Sequence, residues 1–246
     1  MFARTLRRGA LAVLSALALG SLLPRTASAQ DATDAASSPS LVTRDSYLVV
    51  THVDMRKCAY PICGGYFVKS VNLAATRCAD GTQQQACHAV QLNTNALGWT
   101  PEQRAAFEAQ FAKGQALVRG VLEPAPAGLY TADQLTITEA WQAQGPRPTL
   151  GTFYGVKSTG IVCIAAPCPS LAATKLNVIA PVLNPDLDLR LTGATDKQIQ
   201  AAYEALGSTG ILTAGVVVPV KLPSLNGTPR KGSKLIASQF YLPAKP

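Results

Sequence analysis

Two sets of residues in this 246-residue chain have types and spacings suited to chemistry: a His–Asp pair and six cysteines. His52 and Asp54 stand two apart in a run that reads as a strand, and alternate strand residues share a face. An imidazole oriented by a carboxylate is the general base of a hydrolase, so a secreted hydrolase using His52 and Asp54 is one reading. The same pattern also occurs on the solvent face of a half-buried strand. No serine has the Gly-x-Ser-x-Gly setting of an elbow nucleophile, and the other histidine, His88, sits beside Cys87. Zinc-protease, phosphate-loop, dinucleotide and calcium-loop motifs are missing from the sequence, so no cofactor and no metal ligand is expected.

The cysteines are read through a repeat. The phrase Cys58-Ala-Tyr-Pro-Ile-Cys63-Gly-Gly-Tyr-Phe-Val-Lys-Ser-Val-Asn72 returns 105 positions later as Cys163-Ile-Ala-Ala-Pro-Cys168-Pro-Ser-Leu-Ala-Ala-Thr-Lys-Leu-Asn177. Further on, Leu117-Val-Arg-Gly-Val121 is echoed by Leu212-Thr-Ala-Gly-Val216, and residues 135–141 by 235–241. Periodic self-similarity fixes architecture before any local reading does. The second copy holds only Cys163 and Cys168, so these pair, and by symmetry Cys58 pairs with Cys63. Cys78 and Cys87 remain, with an Asp80-Gly81 turn signal between them. Loops this short gain about 2–3 kcal/mol each from closure on the chain-entropy model. The competing reading is a metal-binding protein using these cysteines as thiolates. A redox role is weaker, because no Cys-x-x-Cys spacing is present.

Closed loops also suit binding. Tyr60, Pro61 and Ile62 in the first loop, and Ala166 and Pro167 in the second, sit in short segments stiffened by proline and pinned at both ends. A loop of that kind loses little entropy on association, which is why proteinase inhibitors use constrained loops. Carboxylates are not kept between copies: Asp54 aligns with Thr159 and Glu139 with Gln239. An acid–base pair would need both, so such positions read as solvated.

The elements that must hold the loops follow from capping and periodicity. Thr100-Pro101-Glu102-Gln103 is a capping box opening a helix with Phe107 and Phe111 on one face and Gly114 at its end. Thr195 and Gln198 repeat the box, followed by Ile199, Ala202, Tyr203 and Leu206 and stopped by Gly207. Runs rich in β-branched and aromatic residues predict strands over 47–53, 66–71, 88–92, 116–122, 135–141, 153–156, 215–218 and 235–241. One helix among several strands per copy predicts an α+β fold: two tandem homologous repeats, each a small antiparallel sheet with one helix, stapled by disulfides.

Arg4, Arg7 and Arg8, a charge-free apolar run over 11–23 and Ala27-Ser28-Ala29 make residues 1–29 an export signal peptide. Residues 30–45 read as a flexible leader, 46–144 as repeat 1, 145–149 as a linker and 150–246 as repeat 2. The apolar run is shorter than the roughly 20 residues a spanning helix needs, so no transmembrane segment remains after signal removal. Four arginines fall in the signal, which leaves 18 basic against 14 acidic residues, scattered rather than clustered. Nucleic-acid binding calls for a basic stripe, so it is set aside. The expected location is the periplasm or the cell exterior.

The cysteine phrases, with Thr76-Arg-Cys78-Ala-Asp-Gly81 and Gly160-Ile-Val-Cys163, resemble a family of exported bacterial proteins that is frequent among myxobacteria and known only as a domain of unknown function. The resemblance spans most of residues 45–243. It implies secretion and a common fold, and no activity. The reading that results is a non-enzymatic binding or envelope-associated module of unknown ligand, at most a two-headed proteinase inhibitor, with another exported protein as its candidate partner.

Overall fold

A computed structural model describes residues 45–164, 167–222 and 230–244. The expected signal peptide, the expected leader up to residue 44 and Ala166 of the second loop lie outside the described residues. In chain order the strands are β1 (Ser46–Val53), β2 (Tyr66–Ser70), β3 (Thr76–Arg77), β4 (Gln83–Gln84), β5 (Cys87–Ala89), β6 (Gln91–Asn93), β7 (Ala116–Ala127) and β8 (Tyr130–Ala143). They continue with β9 (Thr152–Ser158), β10 (Leu171–Lys175), β11 (Asp186–Asp188), β12 (Ile211–Leu222) and β13 (Arg230–Pro243). Helix α1 (Pro101–Ala112) precedes β7, and α2 (Asp196–Leu206) precedes β12.

The expected α+β class, with one small sheet per repeat, does not hold. The structure is mostly β: one 11-stranded sheet ordered β10-β9-β12-β13-β8-β7-β1-β2-β5, with β6 and β11 added in parallel to β8 and β13. The two halves merge because the C-terminal ends of β8 and β13 pair with each other along their outer edges. Tyr241 faces Ala143, Leu242 faces Gln142 and Pro243 faces Trp141. These contacts are backbone ladders, to which side-chain patterning is blind.

Each half builds the same hairpin. The β7–β8 ladder slips at Arg119/Gly120, and the β12–β13 ladder slips at Ala214/Gly215. A Cβ on Gly120 would lie 2.2 Å from Thr136 O, and one on Gly215 2.2 Å from Ile236 O. Only glycine lets the backbones approach this closely at a bulge. Both helices open with complete capping boxes, Thr100 with Gln103 and Thr195 with Gln198, as the sequence predicts.

Alternation along the strands sorts the core into layers. In the first half Ala116 and Val118 of β7 meet Phe107 and Phe111 of α1, together with Val68 and Leu135. In the second half Ile211 of β12 meets Ala202 and Leu206 of α2, with Val156 and Phe240. Tyr203, expected on the apolar stripe, points out to solvent. The intervening residues Leu117, Trp141, Leu212 and Tyr241 turn the other way and join Val71 and Leu176 in a core shared by both halves.

Two asparagines fasten the sheet around that core. Asn72 donates to Phe153 O at 2.8 Å and Leu176 O at 2.9 Å, and accepts from Phe153 N at 2.9 Å. Asn177 donates to Tyr47 O at 2.7 Å and Val71 O at 3.0 Å, and accepts from Tyr47 N at 2.8 Å. Both have φ of 60°, a left-handed conformation that asparagine adopts more readily than other side-chain-bearing residues. β1 and β9 are five pairings apart in the sheet order, about 24 Å in a flat sheet at roughly 4.8 Å per strand. The sheet therefore curls until its first-half and second-half edges meet through these side chains.

Candidate functional site

The two cysteine loops are built on one frame. Loop 1 follows β1 and loop 2 follows β9. Asp54 N donates to Gly65 O at 3.0 Å, and Thr159 N donates to Ser170 O at 2.9 Å. Each of these residues then accepts, on its side chain, the N–H two positions on: Arg56 N to Asp54 Oδ1 and Ile161 N to Thr159 Oγ1, both at 3.1 Å. A carboxylate and a hydroxyl thus make the same local turn. All six cysteines are paired as Cys58–Cys63, Cys78–Cys87 and Cys163–Cys168. With every sulfur in a disulfide, the thiolate ligands of the metal-binding reading are not on offer.

The loops differ in what braces them. Asp54 is buried. Arg56 grips it through Nε to Oδ1 at 2.9 Å and Nη2 to Oδ2 at 2.8 Å, and donates from Nη2 to Ile62 O at 3.1 Å. His88 Nε2 lies 2.7 Å from Gly64 O and 3.2 Å from Asp54 Oδ2. Both are acceptors, so Nε2 carries the proton. The Arg56 hydrogen bonds hold the Asp54 carboxyl well below the usual carboxylate range, against the opposing effect of burial. Asp54 is therefore anionic at neutral pH at the neck of loop 1.

His52 is not its partner. The ring of His52 meets Thr51 Oγ1 at 3.1 Å and stacks on Phe67 at 4.4 Å, and Phe67 stacks in turn on His88 at 4.9 Å. Facing residues on β1, β2 and β5 produce this ladder: His52 pairs with Phe67, and Phe67 with His88. β1 has an irregularity between Val50 and His52 and ends at Val53. The two-residue alternation that would place His52 and Asp54 side by side stops at Val53, and Asp54 lies past it. An Asp-x-Arg clamp of the same form joins Asp188 and Arg190, with Nε to Oδ1 at 2.9 Å, and draws Asp188 down to about 2 through those bonds. A clamp that recurs far from the loop is a turn device, and the geometry does not assemble a hydrolase at His52 and Asp54.

What loop 1 offers is its outer surface. Ile62 N donates to Ala59 O at 2.9 Å across a cis Tyr60–Pro61 peptide. Pro61 and Cys63 are buried, while Tyr60 is 57% and Ile62 64% exposed. Of the three residues expected to bind, two face out and Pro61 faces in. Among the described residues loop 2 has no such brace, and its large side chains are in solvent: Val162 is 94% exposed, with Ile161 and Ile164 also exposed, and Pro167 is exposed as well. Arg56 and His88 escaped the sequence reading. The Asp-x-Arg spacing at 54–56 and 188–190 was the available signal for Arg56. The second copy lacks the Cys78–Cys87 hairpin, which left no repeat to point to His88.

Glu139 is the other polar centre, at the edge of a cleft of about 500 Å³ lined among others by Tyr47, Trp141, Lys157 and Lys175. Its carboxylate accepts from Arg119 Nη1 at 2.7 Å, Trp141 Nε1 at 3.2 Å and Tyr47 Oη at 3.3 Å. Burial, then the Glu139 charge, raises the Tyr47 hydroxyl. At the aligned place, Gln239 is buried and holds the segment between β8 and β9 at 145–147: Gly145 N at 3.0 Å, Gly145 O at 2.7 Å and Arg147 O at 3.1 Å. Both positions do structural work, and neither is the solvated site that the Glu–Gln exchange suggests.

Fold and loops together define a disulfide-stapled, mostly antiparallel β protein that presents two covalently closed loops. The chain belongs to the DUF6748 family, a domain of unknown function, which matches residues 47–246. No curated protein and no solved structure matches it.

Proposed function

We propose that this chain is an exported, non-enzymatic binding module of the cell envelope or its surroundings, and that its closed loops make the contacts. The observation that carries this reading is loop 1. Tyr60 and Ile62 stand outward on a turn whose frame is fixed by a disulfide, by the Asp54–Arg56 clamp and by His88. Side chains held this way lose little freedom on association, so most of the contact energy appears as affinity. The partner is another exported protein with a pocket for an aromatic and an aliphatic side chain, at most in the manner of a proteinase inhibitor. The reading also takes the chain as a duplicated unit, residues 46–144 and 150–246 around the 145–149 segment, sharing one sheet. The matching bulges, capping boxes and left-handed asparagines support it.

Titrating the oxidised protein into a panel of chymotrypsin-, elastase- and subtilisin-type proteinases tests the loop assignment. Inhibition, once found, should weaken by about a thousandfold in the Tyr60→Ala, Ile62→Ala double variant, since truncating two central anchors at about 2 kcal/mol each removes about 4 kcal/mol. Inhibition unchanged in the double variant, or no inhibition by the parent protein of any panel member, removes the inhibitor form of the proposal.

A further inference from the structure

We infer that the cleft beside Glu139 is a binding site for an acidic saccharide, a sugar ring carrying a carboxylate or a sulfate. The site is separate from the closed loops and does not depend on them. Its volume of about 500 Å³ falls within the roughly 300–1,000 Å³ of small-ligand sites. All of its lining belongs to the described residues.

The floor of the cleft is a stretch of sheet that carries little side chain. Across β9 and β10, Ala172 faces Lys157 and Thr174 faces Gly155. Across β9 and β12, Gly155 faces Leu212 of the shared core. Directly opposed residues share a face, as do alternate residues of one strand. Gly155, Lys157, Ala172 and Thr174 therefore stand on the side of the sheet that holds the shared core. In the first half, Phe67 takes the place aligned with Ala172, and its ring is stacked between His52 and His88. That ladder fills the first half. In the second, Ala172 and Gly155 leave the backbone surface open, and a flat ring can lie against it.

The charge left unmatched in the cleft is positive. Glu139 is already engaged, because Arg119 Nη1, Trp141 Nε1 and Tyr47 Oη all donate to it. Lys157 and Lys175 are exposed and, among the described residues, join no ion pair. Each ammonium offers three donors to an anion. From β1 and β8, Tyr47 and Trp141 supply ring surface, and the Tyr47 oxygen still accepts a hydrogen bond after donating to Glu139. An acidic sugar uses all of these groups. Its C–H faces pack on the rings and on the small-residue floor, its hydroxyls meet Thr174 and Tyr47, and its acidic group meets the lysines. An apolar ligand would leave the two ammonium groups unmatched, and a bare anion would leave the floor and the rings unused.

Calorimetric titration of the oxidised full chain tests this with four titrants: trigalacturonate, a sulfated heparin disaccharide, neutral galactotriose and inorganic phosphate. Binding of at least one acidic sugar is expected, with galactotriose at least about tenfold weaker. The tighter of the two acidic sugars tells carboxylate from sulfate. Lys157→Ala, Lys175→Ala should weaken binding at least about tenfold, and added salt should weaken it as well. Lys221→Ala, Lys231→Ala removes the same charge from a facing pair on β12 and β13 and should bind as the parent does. Ala172→Phe, which puts the first-half residue on the floor, should abolish binding. Trp141 emission, followed in a Trp99→Phe background, should change with the affinity that calorimetry gives, which locates the ligand at this cleft. Absence of binding by both acidic sugars at millimolar concentration overturns the inference. So does equal affinity for galactotriose, or binding that survives both Ala172→Phe and the Lys157, Lys175 double variant. Inorganic phosphate binding as tightly as the acidic sugars overturns the saccharide assignment.

Discussion

Alanine at Asn177 is expected to destabilise the fold by about 3–5 kcal/mol, and alanine at Asn72 by a similar amount. Each asparagine makes three hydrogen bonds to backbone groups of the other half or of the junction beside it. Removing the side chain leaves those groups without partners, at about 1–3 kcal/mol for each one that water cannot reach. It also leaves a non-glycine residue in left-handed backbone without the local bonding that offsets its cost. Urea unfolding of single variants measures the loss, and glycine at the same positions separates the two causes. Asn177→Gly keeps the backbone conformation and loses only the bonds, so it should lie between parent and alanine. A loss under about 1 kcal/mol for both alanine variants would mean that these ties do not hold the curled sheet together.

The second large effect is at Gln239. Its Oε1 accepts from Gly145 N at 3.0 Å and Phe240 N at 2.9 Å, and its Nε2 donates to Gly145 O at 2.7 Å and Arg147 O at 3.1 Å. Leucine of similar volume should cost about 3–4 kcal/mol, because it strands buried backbone groups instead of replacing both partners. Glutamate, the residue of the aligned position in the first half, should cost more at neutral pH. A carboxylate cannot donate to the two carbonyls, and it would carry an unpaired charge into a buried site. The reverse exchange, Glu139→Gln, should be mild, since Glu139 is partly open to solvent and an amide still accepts from Trp141 and Tyr47. Thermal and urea unfolding of the three variants give the order directly: Gln239→Glu weakest, Gln239→Leu next, Glu139→Gln near the parent. Equal stabilities would remove the distinction drawn between the two halves.

Much of this was legible where local chemistry decides structure. Thr100 with Gln103 and Thr195 with Gln198 satisfy orphan helix donors whatever surrounds them, and both boxes form. The cysteine pairing followed from which cysteines recur and which do not, and the three bonds are those expected. What escaped was decided by backbone and by register. The β8–β13 join uses three facing pairs at the ends of long strands, with no side-chain pattern to announce it. Hence side-chain patterning does not say whether the halves share a sheet, and it predicts an α+β class where strands dominate. His52 and Asp54 share a face only while the strand continues, and β1 ends at Val53, before Asp54. The exchange of Glu139 for Gln239 looked like solvent exposure. It reflects two different local tasks, a cation-paired carboxylate in one half and an amide stitched to the Gly145 segment in the other.

The loops carry the functional reading, and everything proposed for them requires that they be covalently closed. Peptide mass mapping of the protein, purified with thiols blocked and no reductant, tests that most directly. The account predicts linked peptides for Cys58–Cys63, Cys78–Cys87 and Cys163–Cys168 and no blocked thiol. Free Cys163 and Cys168, or bonds crossing between the halves, would contradict it.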